Sequence, residues 1–319
     1  MSSCARMNRL FAADGKCFVL AMDHGFYNVE AFLAGIENMK PLVETLATEG
    51  NPDAMLLTPG QAHLLQDIPG PGKPALVLRS DTTNIYGRDC PVMPSEQQDA
   101  PTSRGHGGSV PTYLFSTLID DPVEQALALD AACVVVNLIC PAGRGDVHHQ
   151  CVQNVCALKS ACARRGMPLM VEPVALKRRA VGTVPLSGTV PSCRSAAEAP
   201  PTGYEVDGAT EKVVTLVRQA VELGADVVKV PPTDDVAAYH KVIETASGVP
   251  VLILGGGRVT DKEIFERTAT LLRQGAKGIV YGRNVTRHPN PPAMCRALMA
   301  TVHDGAGARK ALSIVGGKS

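Results

Sequence analysis

Lys229 lies in the run Asp226-Val-Val-Lys-Val230, an apolar stretch of the kind that forms a strand covered on both faces. A lysine at such a point either snorkels to solvent, pairs with a carboxylate, or works as a nucleophile. Burial disfavours an ammonium and lowers its pKa from about 10.4. A neutral amine can then attack a ketone or aldehyde and form an imine. Once protonated, the imine accepts the electron pair of a neighbouring carbon, which is the chemistry of making and breaking carbon–carbon bonds.

Other residues could serve such a lysine. Asp23 and His24, in Ala21-Met-Asp-His-Gly25, follow the first apolar run, and Gly25 lets the chain turn there. Asp23 is either a carboxylate that moves protons or holds substrate hydroxyls, or a turn residue. Glu172 interrupts the apolar run Leu169–Val174, where a carboxylate needs a partner or a proton. Lys229, on the next strand, is the natural partner, in a structural pair or as one half of an acid/base device. Arg79 and Asn137 are further polar interruptions and are expected to contact substrate. Gly255-Gly-Gly257 and, one unit later, Gly282-Arg283-Asn284 form a pair of anion-binding turns. Glycine amides and helix N-termini attract phosphate, and Arg283 can grip it bidentately.

These residues need a frame that gathers them. Eight short apolar runs serve as strands: Cys17–Met22, Ala54–Leu57, Ala75–Leu78, Ala132–Ile139, Leu169–Val174, Asp226–Val230, Val251–Leu254 and Gly278–Tyr281. They are continuous rather than alternating, as parallel strands buried on both faces are. Between them lie helical patterns. Asp120–Asp130 carries Asp120 or Asp121 as N-cap and Pro122 in its first turn. His148–Arg165 and Thr210–Leu223 repeat apolar residues at helical spacing, and Thr260–Gln274 opens on the capping-box pair Thr260 and Glu263. The alternation predicts an α/β chain folded as one closed (β/α)8 TIM barrel over residues 1–319, with a doubly wound open sheet as the alternative. Long insertions rich in Pro, Gly and Ser, Thr82–Thr117 after strand three and Leu176–Ala209 after strand five, are expected on the catalytic face as lids or subunit contacts.

Composition excludes several classes. Lys+Arg and Asp+Glu balance at 31 each, which gives no reason to expect a nucleic-acid or anionic-membrane partner. Trp is absent and aromatics make up 4 %, against a base-stacking surface. The polar opening through Lys16 and the six-residue run Cys17–Met22 are too short in apolar character for a signal core or a bilayer span. Ten cysteines without a Cys-x-x-Cys pair read as reduced thiols of a cytoplasmic protein. A metal cluster of Cys151, Cys156 and Cys162 with His148 and His149 fits no common zinc spacing, so no metal is expected.

The stretch Arg6-Met-Asn-Arg-Leu-Phe-Ala-Ala-Asp-Gly15, followed by Ala-Met-Asp-His-Gly25, resembles the archaeal-type class I fructose-bisphosphate aldolase family, grouped with deoxyribose-phosphate and tagatose-bisphosphate aldolases. The resemblance continues in Gly224-Ala-Asp-Val-Val-Lys229, Leu254-Gly-Gly-Gly257 and Val280-Tyr-Gly-Arg-Asn284, and spans residues 6 to 304. It implies that Lys229 is the Schiff-base lysine, that Asp23 lies in the substrate site, and that Gly256, Gly257, Gly282 and Arg283 bind phosphate. It also implies a metal-independent aldolase of carbohydrate metabolism, with a covalent lysine imine in place of a cofactor, a sugar phosphate as substrate and identical chains as partners. The chain departs from the pattern on strand five. Val174 stands where archaeal members carry a proton-donating tyrosine, and Glu172 lies two residues earlier on the same face, as in the tagatose-bisphosphate branch. A transaldolase or thiolase of the same fold, or a sugar-phosphate sensor without turnover, are the other readings.

Overall fold

The computed structural model describes residues 5–27, 32–84, 114–178 and 204–317. Eight parallel strands close into a barrel: β1 (Cys17–Ala21), β2 (Ala54–Leu57), β3 (Ala75–Arg79), β4 (Cys133–Pro141), β5 (Leu169–Arg178), β6 (Val227–Val230), β7 (Val251–Leu254) and β8 (Gly278–Tyr281). Each pairs with its sequence neighbour, and β1 pairs with β8, so the sheet has no free barrel edge and the open-sheet alternative falls. Helices fill the connections, among them α1 (Pro122–Ala128), α2 (Gly145–Arg165), α3 (Thr210–Glu222) and α4 (Asp261–Arg273). The capping box at Thr260 and Glu263 is formed in both directions. Asp121 caps α1 with a left-handed backbone rather than with its side chain.

Strand parity sorts the core into two shells. Cys17, Val19, Leu56, Val77, Val135, Met170, Val227 and Leu252 point inward and pack on one another. Their neighbours Phe18, Leu20, Leu57, Leu78, Val136, Val171, Val228 and Ile253 point outward against the helices. Leu10, on the short helix Met7–Leu10, joins the inner cluster with Met7 and Phe11 beside it. Arg6 there donates to the Ala131 carbonyl just before β4, which places this helix across the N-terminal mouth. The barrel is therefore filled and stoppered from below, and polar side chains are left to the opposite end.

Both edges of each long insertion are ordered. Asp81–Thr83 pairs antiparallel with Ser116–Leu118, and the extended end of β5 pairs antiparallel with Tyr204–Val206. That pairing, with the β4 register reaching Pro141 opposite Leu176, carries β5 beyond the expected end at Val174. The expected lids or subunit contacts at 85–113 and 179–203 lie outside the described residues. No described helix is long and apolar enough to cross a membrane. On α2, Cys151 and Cys162 are buried while Cys156 is exposed, so the helix splits these thiols.

Candidate active site

The apolar inner shell ends one inward step before the C-terminal mouth. Counting two residues on from inward Ala21, Val77, Val135, Met170 and Val227 gives Asp23, Arg79, Asn137, Glu172 and Lys229. All five are buried. A period of two thus converts five scattered polar interruptions into one polar layer laid on the packed core.

Within that layer Lys229 is 3 % exposed and its Nζ lies 2.9 Å from Glu172 Oε2. The buried Lys229 is thus faced by a carboxylate. The same Glu172 oxygen accepts from Arg79 Nη2 at 2.8 Å. Arg79, expected to meet substrate, also donates to other protein acceptors. Its Nε donates to Asp23 Oδ2 at 2.7 Å, its Nη1 to Asp81 Oδ1 at 3.3 Å, and its Nη2 also to the Tyr27 hydroxyl at 3.1 Å. One guanidinium therefore fixes both carboxylates beside the lysine. Asn137 is opposite Glu172 in the β4–β5 register and donates to Asp81 Oδ2 at 3.0 Å, so it too serves the network. Ser116 reaches the same Asp81 oxygen at 2.9 Å from the hairpin.

The electrostatics follow from this wiring. Burial pushes the Asp23 carboxyl up, but the positive charges of Arg79 and Lys229 outweigh it and hold the group down at about 2. Glu172 is likewise pressed upward by burial and brought below its usual range by Lys229 and Arg79. Burial wins at Asp81, which lies above its ordinary value despite Arg79. His24 is driven down to about 4, first by burial and then by Arg283 and Lys229 against the pull of Asp23. It is a neutral imidazole near pH 7, and its Nδ1 meets no hydrogen-bond partner among the described residues.

The glycine turns complete the mouth. Gly256 adopts φ +67°, open to glycine with little strain. A Cβ on Gly282 would lie 2.5 Å from the Ala21 carbonyl and against the His24 ring, so that glycine lets the β8 turn seat on β1. Gly255 packs on the Tyr281 ring. Arg283, expected to clamp phosphate, donates through Nη2 to the Gly256 carbonyl at 2.9 Å and lies over the Phe32 ring at 4.6 Å. Tyr27 and Asp81 escaped the sequence reading. Asp81 sits beyond the apolar run of β3 and shows no interruption pattern, and Tyr27 is recognisable only once Arg79 turns toward it. No described group of three or more His, Cys, Asp or Glu is arranged to hold a metal ion.

The model of the DeoC/LacD family aldolases matches residues 17–288, which contain every group described above. The chain belongs to this family. Its relatives include an uncharacterized aldolase of Saccharolobus solfataricus, 29 % identical over 97 % of both chains. Another is the 2-amino-4,5-dihydroxy-6-oxo-7-(phosphonooxy)heptanoate synthase of Streptomyces griseus, 28 % identical over 94 % of this chain and 89 % of that one. Among solved structures, an archaeal fructose-1,6-bisphosphate aldolase with its catalytic lysine bound to the carbinolamine of the substrate superposes with a TM-score of 0.64. It is 23 % identical over 94 % of this chain and 98 % of its own, a likeness of fold.

Proposed function

We propose that the protein is a class I aldolase that makes or breaks a carbon–carbon bond in a phosphorylated ketose through an imine on Lys229. The observation that carries this is the buried Lys229–Glu172 contact of 2.9 Å at the barrel mouth that also holds the two glycine turns. The lysine-bound intermediate of the archaeal aldolase supports it, as do the phosphorylated compound named for the Streptomyces relative and the family match.

The steps follow from charge. As a ketone enters, Glu172 takes a proton from Lys229, and the amine adds to the carbonyl carbon. Glu172 returns that proton to the carbinolamine hydroxyl, and its departure as water leaves an iminium whose positive charge replaces that of the ammonium. In cleavage the C3–C4 electron pair flows to the iminium nitrogen and gives a neutral enamine. Glu172 thereby loses one of the two cations that hold its pKa down, and its affinity for a proton rises as the C4 hydroxyl must give one up. Asp23, held lower by Arg79, stays a carboxylate and accepts a hydrogen bond from substrate. Protonation of the enamine and hydrolysis of the imine release the ketone phosphate and restore Lys229.

The test is reductive trapping. Borohydride with dihydroxyacetone phosphate is expected to leave a stable adduct on Lys229, located by peptide mass, and Lys229→Met is expected to abolish it. An adduct on another lysine, or none across a panel of ketose phosphates, refutes the reading. The synthase relative keeps a second reading open, in which the same enamine is passed to another acceptor. Product analysis on that panel separates transfer from simple cleavage. An intact Lys229–Glu172–Arg79 layer argues against a sensor without turnover.

A further inference from the structure

The inward face of β2 carries a polar group that no described partner claims. Leu56 points inward, and Thr58 lies two residues on. Its backbone stays extended, at φ −85° and ψ 159°, as a residue before proline prefers, so the strand alternation carries through to it. Ala21 pairs with Leu56, and Leu57 with Leu78. Continuing these registers sets Thr58 between Asp23 and Arg79. It is therefore a sixth member of the polar layer. Thr58 also precedes the helix Pro59–Gln66, where a threonine hydroxyl ordinarily accepts from the first turn. Here the side chain makes no cap, and Gln61 N donates to the Thr58 carbonyl at 3.0 Å instead.

Asp23, Arg79, Asn137, Glu172 and Lys229 all bond to one another or to Asp81. The Thr58 hydroxyl bonds to none of the described residues, and although the residue is only 7 % exposed, that oxygen is not among the sealed, unpartnered ones. We infer that Thr58 is a specificity-determining residue that hydrogen-bonds the substrate hydroxyl on the carbon next to the imine, and so selects a ketone phosphate bearing that hydroxyl over one lacking it. This rests on the imine at Lys229 proposed above. That carbon is one bond from the imine carbon and becomes the nucleophile, so its hydroxyl lies within the layer whichever aldehyde is joined. Asp23, the register neighbour of Thr58, is held as a carboxylate and can only accept. Thr58 can also donate. A substrate hydroxyl between the two donates to Asp23 and accepts from Thr58, and a deoxy analogue leaves both unpaired.

Dihydroxyacetone phosphate and hydroxyacetone phosphate, which differ only in that hydroxyl, are the probes. Each is titrated into the full chain with borohydride present, and the adduct on Lys229 is followed by peptide mass. The ratio of their half-saturating concentrations is the readout, because a purely structural role moves both together. The unaltered protein is expected to favour dihydroxyacetone phosphate. Thr58→Val, of matching shape, is expected to shrink that preference about tenfold, as the loss of one hydrogen bond does, and Thr58→Ser to keep it. Thr58→Ala is a second variant, expected to act as Thr58→Val does, should the valine disturb the fold. A ratio unchanged in these variants, or equal capture of the two ketones by the unaltered protein, overturns the assignment and leaves the aldolase reading standing. Trapping of neither ketone by the unaltered protein overturns both.

Discussion

Arg79 holds two carboxylates and a tyrosine hydroxyl from a fully buried position, so its removal is more than the loss of one contact. Arg79→Met is expected to leave Asp23 and Glu172 short of a cation in a dry site, destabilising the fold by about 3–5 kcal/mol. Urea unfolding measures this, and a loss below about 1 kcal/mol would show that the layer is solvated. Glu172→Gln keeps the shape and an acceptor oxygen for Lys229 and Arg79 but cannot take a proton. It is expected to lower kcat about 10²- to 10⁴-fold and to flatten the acidic limb of the pH–rate profile. Unchanged turnover would assign the proton transfer elsewhere. Glu172 was readable from sequence because a carboxylate inside an apolar run has few physical excuses. The role of Arg79 was not, since a guanidinium's partners depend on which strands close around it.

At the scale of elements, the site exists because β-strand parity and turn geometry agree. The turn after β8 lies against the end of β1 only because Gly282 lacks a side chain. Gly282→Ala is expected to push His24 and the Ala21 carbonyl aside, costing about 1–3 kcal/mol as an overpacked contact does. Its KM for a phosphorylated substrate should rise more than its thermal stability falls, because the anion turn moves with it. Enzyme kinetics and calorimetry on the same variant decide this, and equal, small effects would mean the turn relaxes freely. The strands and the longer helices were legible from apolar runs and caps. The antiparallel extensions at Asp81–Thr83 and beyond Val174 were not, because their pairing partners lie far along the chain.

At the scale of the molecule, the closed barrel is fastened at its N-terminal end by a histidine. His303, on the helix Pro291–His303, meets Asp14 Oδ2 at 3.0 Å through Nδ1 and Asp53 Oδ2 at 2.9 Å through Nε2. Both nitrogens can donate only when the ring is protonated. The hydrogen bond to Asp53 raises its pKa above 6.5 in spite of partial burial, and the charges of Asp53 and Asp14 raise it further. A raised histidine contributes stability that is full below the unfolded pKa and is lost as pH climbs through the folded value. The melting temperature is therefore expected to fall from pH 6 toward pH 9, and His303→Gln is expected to flatten that slope. A parallel slope in the variant would remove His303 as the cause.

The sequence by itself determined the strand and helix succession, the lysine in its apolar run and the glycine turns, because these depend on local period and backbone freedom. Tertiary closure alone decided that Lys229 faces Glu172, that Arg79 donates to Asp23 and Glu172, and that Arg283 reaches the Gly256 carbonyl. Those outcomes depend on distances between strands far apart in the chain, and no local pattern contains such distances.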